Sequence, residues 1–391
     1  MATAVAELRR EAVLDRREVA GALADLGVLV PIAVVLIVSN GLSATAALLP
    51  AGLLYLVAAL AYGLPIPVQP LKAFGAIAIA KGLGVEVIAA GAMLMGLVFL
   101  VLARTGALDL AARAFPRPLI RGVQLAVGLL FLKIAWGLLT NPPEAFAATA
   151  LSAGVALPLA ALVLAAAIAL RGRPVTIVLV AVGFSIAVAD AAPDLSTGPS
   201  AVSVPSMDAA AVWTALTLLV LPQIPLTFAN SCLATADAAQ TYFGERAESV
   251  RPGRLATTLG SANVLAGSIG GMPVCHGAGG LTAHYSFGAR TAGAPLLMGV
   301  ALLGLALGAG AGLAGLLAAF PLPILAGMLA AAGVLHIRLL LDLRGGWEMS
   351  VAIAIGVVGV SVNLALGLLL GLGAWWGRAL AARVRPTGAT A

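Results

Sequence analysis

Charge is what this 391-residue chain lacks most: Asp, Glu, Lys and Arg make up 10% of it, whereas 61% of the residues are hydrophobic. Soluble globular proteins carry about 25% charged residues, so this composition cannot cover a water-exposed surface. It predicts a polytopic protein of the lipid bilayer and excludes a disordered chain and a soluble enzyme. The net charge of +6 could suggest a nucleic-acid partner, but no nucleic acid is expected, because basic residues in membrane proteins mark the cytoplasmic loops.

Cysteine and histidine are also scarce, with two and three residues respectively. Two cysteines in apolar surroundings, Cys232 and Cys275, imply no disulfide framework. An intramembrane enzyme would have to use Cys275 with the adjacent His276, or a metal bound by His276 and His284. Neighbouring side chains do not readily form a nucleophile–base pair, and a spacing of eight residues does not fit one helical face. No enzymatic activity, metal or cofactor is therefore predicted.

The apolar runs predict an all-α fold with fourteen membrane segments in a single transport domain, residues 1–391. A loop rich in Pro, Ser and Asp, residues 191–208, separates a first repeat (20–190) from a second (209–383). The first seven segments are expected near 24–42, 44–63, 67–81, 84–103, 118–139, 151–170 and 173–190. The second seven are expected near 209–232, 255–272, 273–289, 292–314, 320–338, 348–362 and 364–382.

The arginines give this topology an orientation. With the N-terminus inside, all nineteen arginines fall in segments that face the cytoplasm, and the predicted outer loops around Ser39, Asn141, Asp194 and Gly315 contain none. An excess of basic residues on cytoplasmic loops is the usual pattern in membrane proteins. The pattern predicts a multi-pass protein of the cytoplasmic (inner) membrane with both termini in the cytoplasm.

Two segments cannot be continuous helices. Pro65, Pro67 and Pro70 lie within six residues, and proline removes a backbone donor and clashes with the preceding turn. The second break contains Pro273 and a run of glycines, Gly277–Gly280 around Ala278. Each break falls in the third segment of its set of seven. Because seven is odd, the halves run in opposite senses, which predicts an inverted repeat with two half-helices and a substrate site near the bilayer midplane.

The half-helices suggest an anion site. Two helix N-termini that meet at the midplane direct unpaired N–H groups and partial positive charge toward the same point. Lys72 lies in the first turn of one half-helix, and an intramembrane lysine is a functional candidate by default. His276 in the other break is a candidate ligand or a satisfied buried histidine. Gln69 can donate to an oxyanion, and the glycines allow close backbone approach.

Neighbouring segments supply further candidates. Gln223 in the eighth segment aligns with Asp25 in the first, and Thr227 shares the helical face of Gln223. Asp25, His276 and Glu86 are the candidate proton carriers. A glycine repeat in the eleventh segment predicts close helix packing; it comprises Gly304, Gly308 and Gly312.

The stretch from Pro67 to Ala73, read with that from Gly271 to Thr291, resembles the two signatures of the molybdate transporters of the SulP superfamily. The resemblance implies the fold of nucleobase and anion transporters, with segments 1–4 and 8–11 as a core beside a gate of segments 5–7 and 12–14. No C-terminal STAS domain is expected, because few residues follow Arg385. The predicted substrate-binding residues are Gln69, Pro70, Lys72, Ala73, Gln223, Thr227, Cys275, His276, Gly277, Gly279 and Gly280.

The expected activity is secondary active import of molybdate, with protons as the candidate coupling ion and a homodimer as the candidate assembly. Each charge moved against an inside-negative potential costs about 2.3 kcal/mol per 100 mV, so a dianion needs co-transported cations or anion exchange. Sulfate, a dianion of similar shape, is the first alternative, and only the resemblance favours molybdate. An anion channel is a more remote alternative. A nucleobase carrier is disfavoured because the eighth segment offers Gln223 rather than a carboxylate.

Overall fold

The computed structural model describes residues 12–23, 26–108, 113–170, 175–190 and 196–384. Two short strands interrupt a fold that is otherwise helical, β1 (Gln69–Pro70) and β2 (Val274–Cys275). The helices in chain order are α1 (Arg16–Ala22), α2 (Leu26–Val38), α3 (Ala44–Tyr62), α4 (Lys72–Lys81), α5 (Val85–Thr105), α6 (Arg117–Thr140), α7 (Ala153–Ala169), α8 (Val175–Asp190), α9 (Ala209–Ala247), α10 (Pro252–Ser268), α11 (Ala278–Ser286), α12 (Gly293–Gly308), α13 (Gly310–Ala318), α14 (Leu322–Arg338), α15 (Gly346–Ser361) and α16 (Leu364–Val384).

Every predicted membrane segment contains at least one of these helices, so the all-α polytopic prediction is confirmed. Six of the described helices are long and apolar enough to cross a bilayer alone. The half-helices α4 and α11 have 10 and 9 residues, about 15 Å of rise, half of the hydrocarbon thickness. The structure differs from the predicted segments in one boundary and in the continuity of one helix. The eighth segment continues well beyond residue 232, and the eleventh is bent by 96° between α12 and α13.

The two strands show how the halves of the inverted repeat meet. β1 pairs with β2 in antiparallel orientation, with Gln69 opposite Cys275 and Pro70 opposite Val274. Gln69 and Cys275 also occupy equivalent positions when the two proline-containing breaks are aligned. When equivalent residues pair with each other, a two-fold axis passes between them. The register of the strands is therefore the one that the predicted inverted repeat would produce.

Helix packing follows the same symmetry. Helix α3, in the second segment, packs on α12, in the eleventh. In the other half, α10 of the ninth segment packs on α5 of the fourth. In the predicted repeat α10 corresponds to α3, and α5 corresponds to α12. Glycine permits close backbone approach at both crossings. A Cβ on Gly96 of α5 would lie 2.8 Å from the carbonyl oxygen of Gly260, and one on Gly299 would lie 3.0 Å from that of Gly52. These two crossings are the arrangement that the predicted inverted repeat would produce.

Two glycines of the repeat in the eleventh segment, Gly304 and Gly308, do not mediate helix packing. A Cβ on Gly304 or Gly308 would meet no atom within 4 Å, because this face of α12 points away from the bundle. The contact with α3 uses the opposite face, through Gly299 and Leu303. A four-residue spacing identifies one side of a helix, but not which side is buried.

The loops divide between two ends of the bundle. At the end that we call the arginine face, Arg121 forms an ion pair with Asp342, and Arg246 donates to the carbonyl oxygen of Arg290. At the other end, the opposite face, Thr45 donates to the carbonyl oxygen of Ala306 at 2.6 Å. Helix α4 starts at β1 and ends near the opposite face.

Candidate functional site

The site begins with the strand pair between the half-helices. The Asn263 side chain of α10 binds the free edge of β2: its amide donates to the carbonyl oxygen of Val274 at 2.7 Å, and its carbonyl accepts from the N–H of Val274 at 2.8 Å. Leu71 donates its N–H to the carbonyl oxygen of Pro273. These bonds satisfy backbone groups that a bilayer could not hydrate, which permits an extended segment at this depth.

Gln223 joins helix α9 to the start of α4. Its side-chain oxygen accepts the N–H of Phe74 at 2.9 Å, and its amide donates to the Thr227 hydroxyl at 2.9 Å. The shared face predicted for Gln223 and Thr227 is therefore present. One of the unpaired N–H groups at the start of α4 is thus bound by protein, whereas the cap residue Leu71 supplies no side chain for the others.

The local shape of α9 explains the placement of Gln223. Pro222 and Pro225 flank it, and neither can donate a backbone hydrogen bond. The helix is wound as a π-helix on both sides, over Ala215–Val220 and Thr227–Ala234. π-Helical turns widen a helix and often occur at functional sites.

Lys72 is the charged group of the site. Its ammonium lies 2.7 Å from the side-chain oxygen of Gln69, and the residue is half-buried. Within the described part of the chain, no carboxylate forms an ion pair with it. A Cβ on Gly277 would lie 2.7 Å from the same Gln69 oxygen and 3.4 Å from the amide nitrogen of Asn230. Side chains from β1, α4 and α9 therefore converge on the start of α11.

Three predicted glycines lie at the start of α11. Gly277 is the cap residue and has no side chain with which to bind the first-turn N–H groups. Gly279 is exposed, and a Cβ there would meet no atom within 4 Å, whereas Gly280 is buried. The first turn of α11 is therefore open at Gly279 and enclosed by neighbouring groups at Gly277 and Gly280.

The structure surrounds His276 with protein groups. The residue is fully buried, its Nδ1 lies 2.9 Å from the carbonyl oxygen of Pro67, and its Nε2 lies 2.9 Å from the Thr258 hydroxyl. The Thr258 hydroxyl also bonds the Tyr62 hydroxyl at 2.8 Å. In this arrangement His276 holds the extended segment before β1 against β2.

The remaining predicted residues are spread more widely. Ala73 is buried in the first turn of α4, and the Cys275 thiol donates to the carbonyl oxygen of Pro70 at 3.9 Å. Glu86 is exposed at the start of α5, beyond the far end of α4. Asp25 lies outside the described residues. Within the described part, no group of three His, Cys, Asp or Glu side chains could hold a metal ion.

Sequence reasoning missed two polar residues near the site. Asn263 is fully buried in α10, where its side chain binds the backbone of β2. His336 of α14 lies close enough to Lys72 for an electrostatic interaction, and its Nδ1 lies 2.8 Å from the carbonyl oxygen of Ala332. Only the tertiary fold reveals that α14 passes the half-helix.

Comparisons with known proteins identify the family of this chain. The family profile described as "Molybdate transporter of MFS superfamily" matches residues 17–131 and 215–335. Molybdate transporter 1 of Arabidopsis thaliana is 29% identical over 90% of this chain and 86% of its own length. Molybdate transporter 1 of Chlamydomonas reinhardtii is 37% identical over 39% of this chain and 30% of its own length.

Solved structures match the fold. The transmembrane domain of a cyanobacterial bicarbonate transporter, BicA, has a TM-score of 0.66 at 18% identity, covering 90% of this chain and 97% of that one. The murine anion transporter Slc26a9 in an inward-facing state has a TM-score of 0.69 at 16% identity, covering 97% of this chain and 71% of that one. The profile matches more than half of the residues, so the chain belongs to the molybdate transporter family, built on a SulP-type fold, and is a transporter rather than an enzyme.

Proposed function

We propose that this protein binds molybdate where its two half-helices meet and carries it across the membrane. The observation that carries the proposal is the position of Lys72. Its ammonium lies beside the β1–β2 pair with a neutral amide oxygen as its contact, and no described carboxylate neutralises it. A cation kept unneutralised at this depth is costly unless an anion binds to it.

The surrounding donors suit a tetrahedral dianion. Such an anion offers four oxygen acceptors. Around the junction lie the Lys72 ammonium, the side chains of Gln69 and Asn230, and first-turn N–H groups of α4 and α11 that no cap side chain binds. The partial positive ends of both helices add to the charge of Lys72. Because the donors come from both halves of the repeat, relative movement of the elements around the junction changes how the anion is held.

Equilibrium binding of molybdate to the purified protein tests this site. Lys72→Ala should weaken binding at least tenfold, since it removes a charge-assisted contact in a low-dielectric site, and Gln69→Ala should weaken it less. Arg251→Ala is the matched control, because it also removes one positive charge but acts at an exposed ion pair with Glu248. Unchanged affinity in both site variants would refute the proposal.

Transport requires that the site open to each side in turn. We assign segments 1–4 and 8–11 to a core that carries the half-helices and segments 5–7 and 12–14 to a gate. The packing supports this division, since α6 contacts α14 and α15 extensively, while α5 packs on α10. Rocking of one group against the other would expose the junction alternately.

Proton coupling is a further part of the proposal, with Asp25, His276 and Glu86 as candidate carriers. Uptake into proteoliposomes should increase when a pH gradient, a membrane potential, or both are imposed, because a dianion alone would be repelled by an inside-negative potential. Uptake that ignores both gradients would exclude the coupling. Uptake that never exceeds the external concentration would favour a channel.

The proposal has three further parts. The protein prefers molybdate to sulfate, it lies in the inner membrane with both termini in the cytoplasm, and it forms a homodimer. Excess sulfate should compete poorly with labelled molybdate, and strong competition would broaden the substrate to tetrahedral oxyanions in general. Mass measurement in lipid nanodiscs, where a single chain weighs 38.8 kDa, tests the dimer.

A further inference from the structure

A second cationic feature lies at the far end of the half-helix that bears Lys72. A cavity of about 140 Å³ opens between α4, α6, α9 and the turn that joins α15 to α16. Ile77 and Lys81 line it from α4, Lys133 from α6, and Ser361 and Asn363 from the turn. We call this cavity the vestibule.

The depth of the vestibule follows from the helices around it. The Asn40 side chain at the end of α2 donates to the carbonyl oxygens of Ala78 and Leu83, which fixes the end of α4 near the opposite face. Lys133 precedes the end of α6 by seven residues, about 10 Å along the axis. Lys133 therefore lies inside the helix rather than at its end, and its exposed side chain lines the vestibule.

The charge of the vestibule is not balanced. Lys81 and Lys133 are two of only three lysines in the chain, and the lining contains no acidic side chain. In the described ranges neither lysine forms an ion pair, whereas Arg121 and Arg251 each have a carboxylate partner. Lys81 also lies in the last turn of α4, where a cation is favoured by the helix dipole, but this does not account for Lys133. Lysines inside membrane segments are rare, and they usually face a cavity or the interior of the bundle. Lys133 is therefore a candidate for a functional role.

The vestibule and the central site share helix α4. Nine residues separate Lys72 from Lys81, a rise of about 14 Å, and Ile77 of the vestibule lies between them. The vestibule therefore lies at the end of α4 away from Lys72, on the side of the central site that faces the opposite face.

We propose that the vestibule is a docking site for a divalent oxyanion on the opposite face, where Lys81 and Lys133 concentrate the anion before it reaches Lys72. This inference rests on the proposed transport of molybdate. Two lysines attract anions at long range, so they raise the rate of arrival rather than the affinity of the central site, and dissolved salt screens the effect.

The test compares wild type with the double variant Lys81→Gln, Lys133→Gln in proteoliposomes supplied with labelled molybdate. In low salt the KM for initial uptake from the vestibule side should rise about tenfold with little change in the maximal rate. The difference should shrink in high salt, and Lys81→Arg, Lys133→Arg should restore the wild-type KM. Arg251→Gln, which removes a cation at the arginine face, should leave KM unchanged.

Two results would overturn the inference. One is an unchanged KM in the double glutamine variant at low salt. The other is an equal loss of equilibrium affinity in the purified protein, which would mean that the lysines act on the central site or on folding. Failure of the proposed transport is recognised separately, because wild-type protein would then take up no molybdate at any salt concentration.

Discussion

Gln223 shows how one side chain at this site serves both structure and binding. Its oxygen binds the N–H of Phe74 and its amide binds Thr227, so it fixes α9 to the first turn of α4. Both contacts are buried. A neutral residue here leaves the positive end of α4 available to an anion, whereas a carboxylate would neutralise it.

We therefore expect Gln223→Glu to remain folded but to weaken molybdate binding about tenfold or more. The new carboxylate can still accept from Phe74, but it places a negative charge beside the anion. Gln240→Glu is the matched control, because Gln240 lies on the same helix, is exposed, and bonds only the Ala247 carbonyl among the described residues. Calorimetric titration of the two variants checks this; equal affinities would place the anion elsewhere.

At the scale of elements, helix α1 is attached to the start of α12 by one buried side chain. Glu18 accepts from the N–H groups of Arg290 and Thr291 through Oε1, at 2.6 and 2.8 Å, and from that of Ala294 through Oε2 at 3.0 Å. The carboxylate also complements the positive end of α12.

Glu18→Ala should detach α1 and destabilise the protein by about 2–3 kcal/mol, because it leaves backbone donors without their charged acceptor. Hydrogen exchange should accelerate in α1 and in the turn before α12. Glu248→Ala, which breaks an exposed ion pair, should change stability by less than about 1 kcal/mol. Protected amides in the Glu18 variant would contradict this anchoring.

The close packing of α5 against α10 can also be tested by substitution. A side chain at Gly96 would meet backbone atoms, with the nitrogen of Val264 2.6 Å from its Cβ, so Gly96→Leu must push the helices apart. We expect a marked loss of thermal stability in detergent, on the order of 3 kcal/mol or more. Gly304→Leu makes the same substitution where nothing lies within 4 Å, and it should be tolerated. Similar melting temperatures for both variants would show that this crossing is not tightly packed.

At the scale of the whole molecule, the main expectation to test is the orientation in the membrane, with the arginine face toward the cytoplasm. Both native cysteines are buried, so added cysteines can be labelled against a low background. Glu248 lies at the arginine face and Gly315 beyond the bend after α12, where its surroundings are open. A membrane-impermeant maleimide should label Gly315→Cys in intact cells and Glu248→Cys only after permeabilisation. The reverse result would invert the topology.

The sequence by itself determined the class of protein and the two breaks that form β1 and β2. Scarcity of charge requires a bilayer, and clustered prolines and glycines prevent continuous helices at β1 and β2. Matched breaks in two sets of seven segments also indicated the inverted repeat, and the position of Lys72 indicated an anion site.

Only the tertiary structure decided how these parts meet. It paired Gln69 with Cys275, bound Gln223 to the N–H of Phe74, and enclosed His276 between Pro67 and Thr258. It also brought Lys81 and Lys133, 52 residues apart in the chain, to one cavity. Hydropathy and helix-breaking residues act locally, so they can be read along a chain. Contacts between distant residues depend on the face that each helix buries, and in an apolar helix of nearly uniform composition that face is set by packing partners.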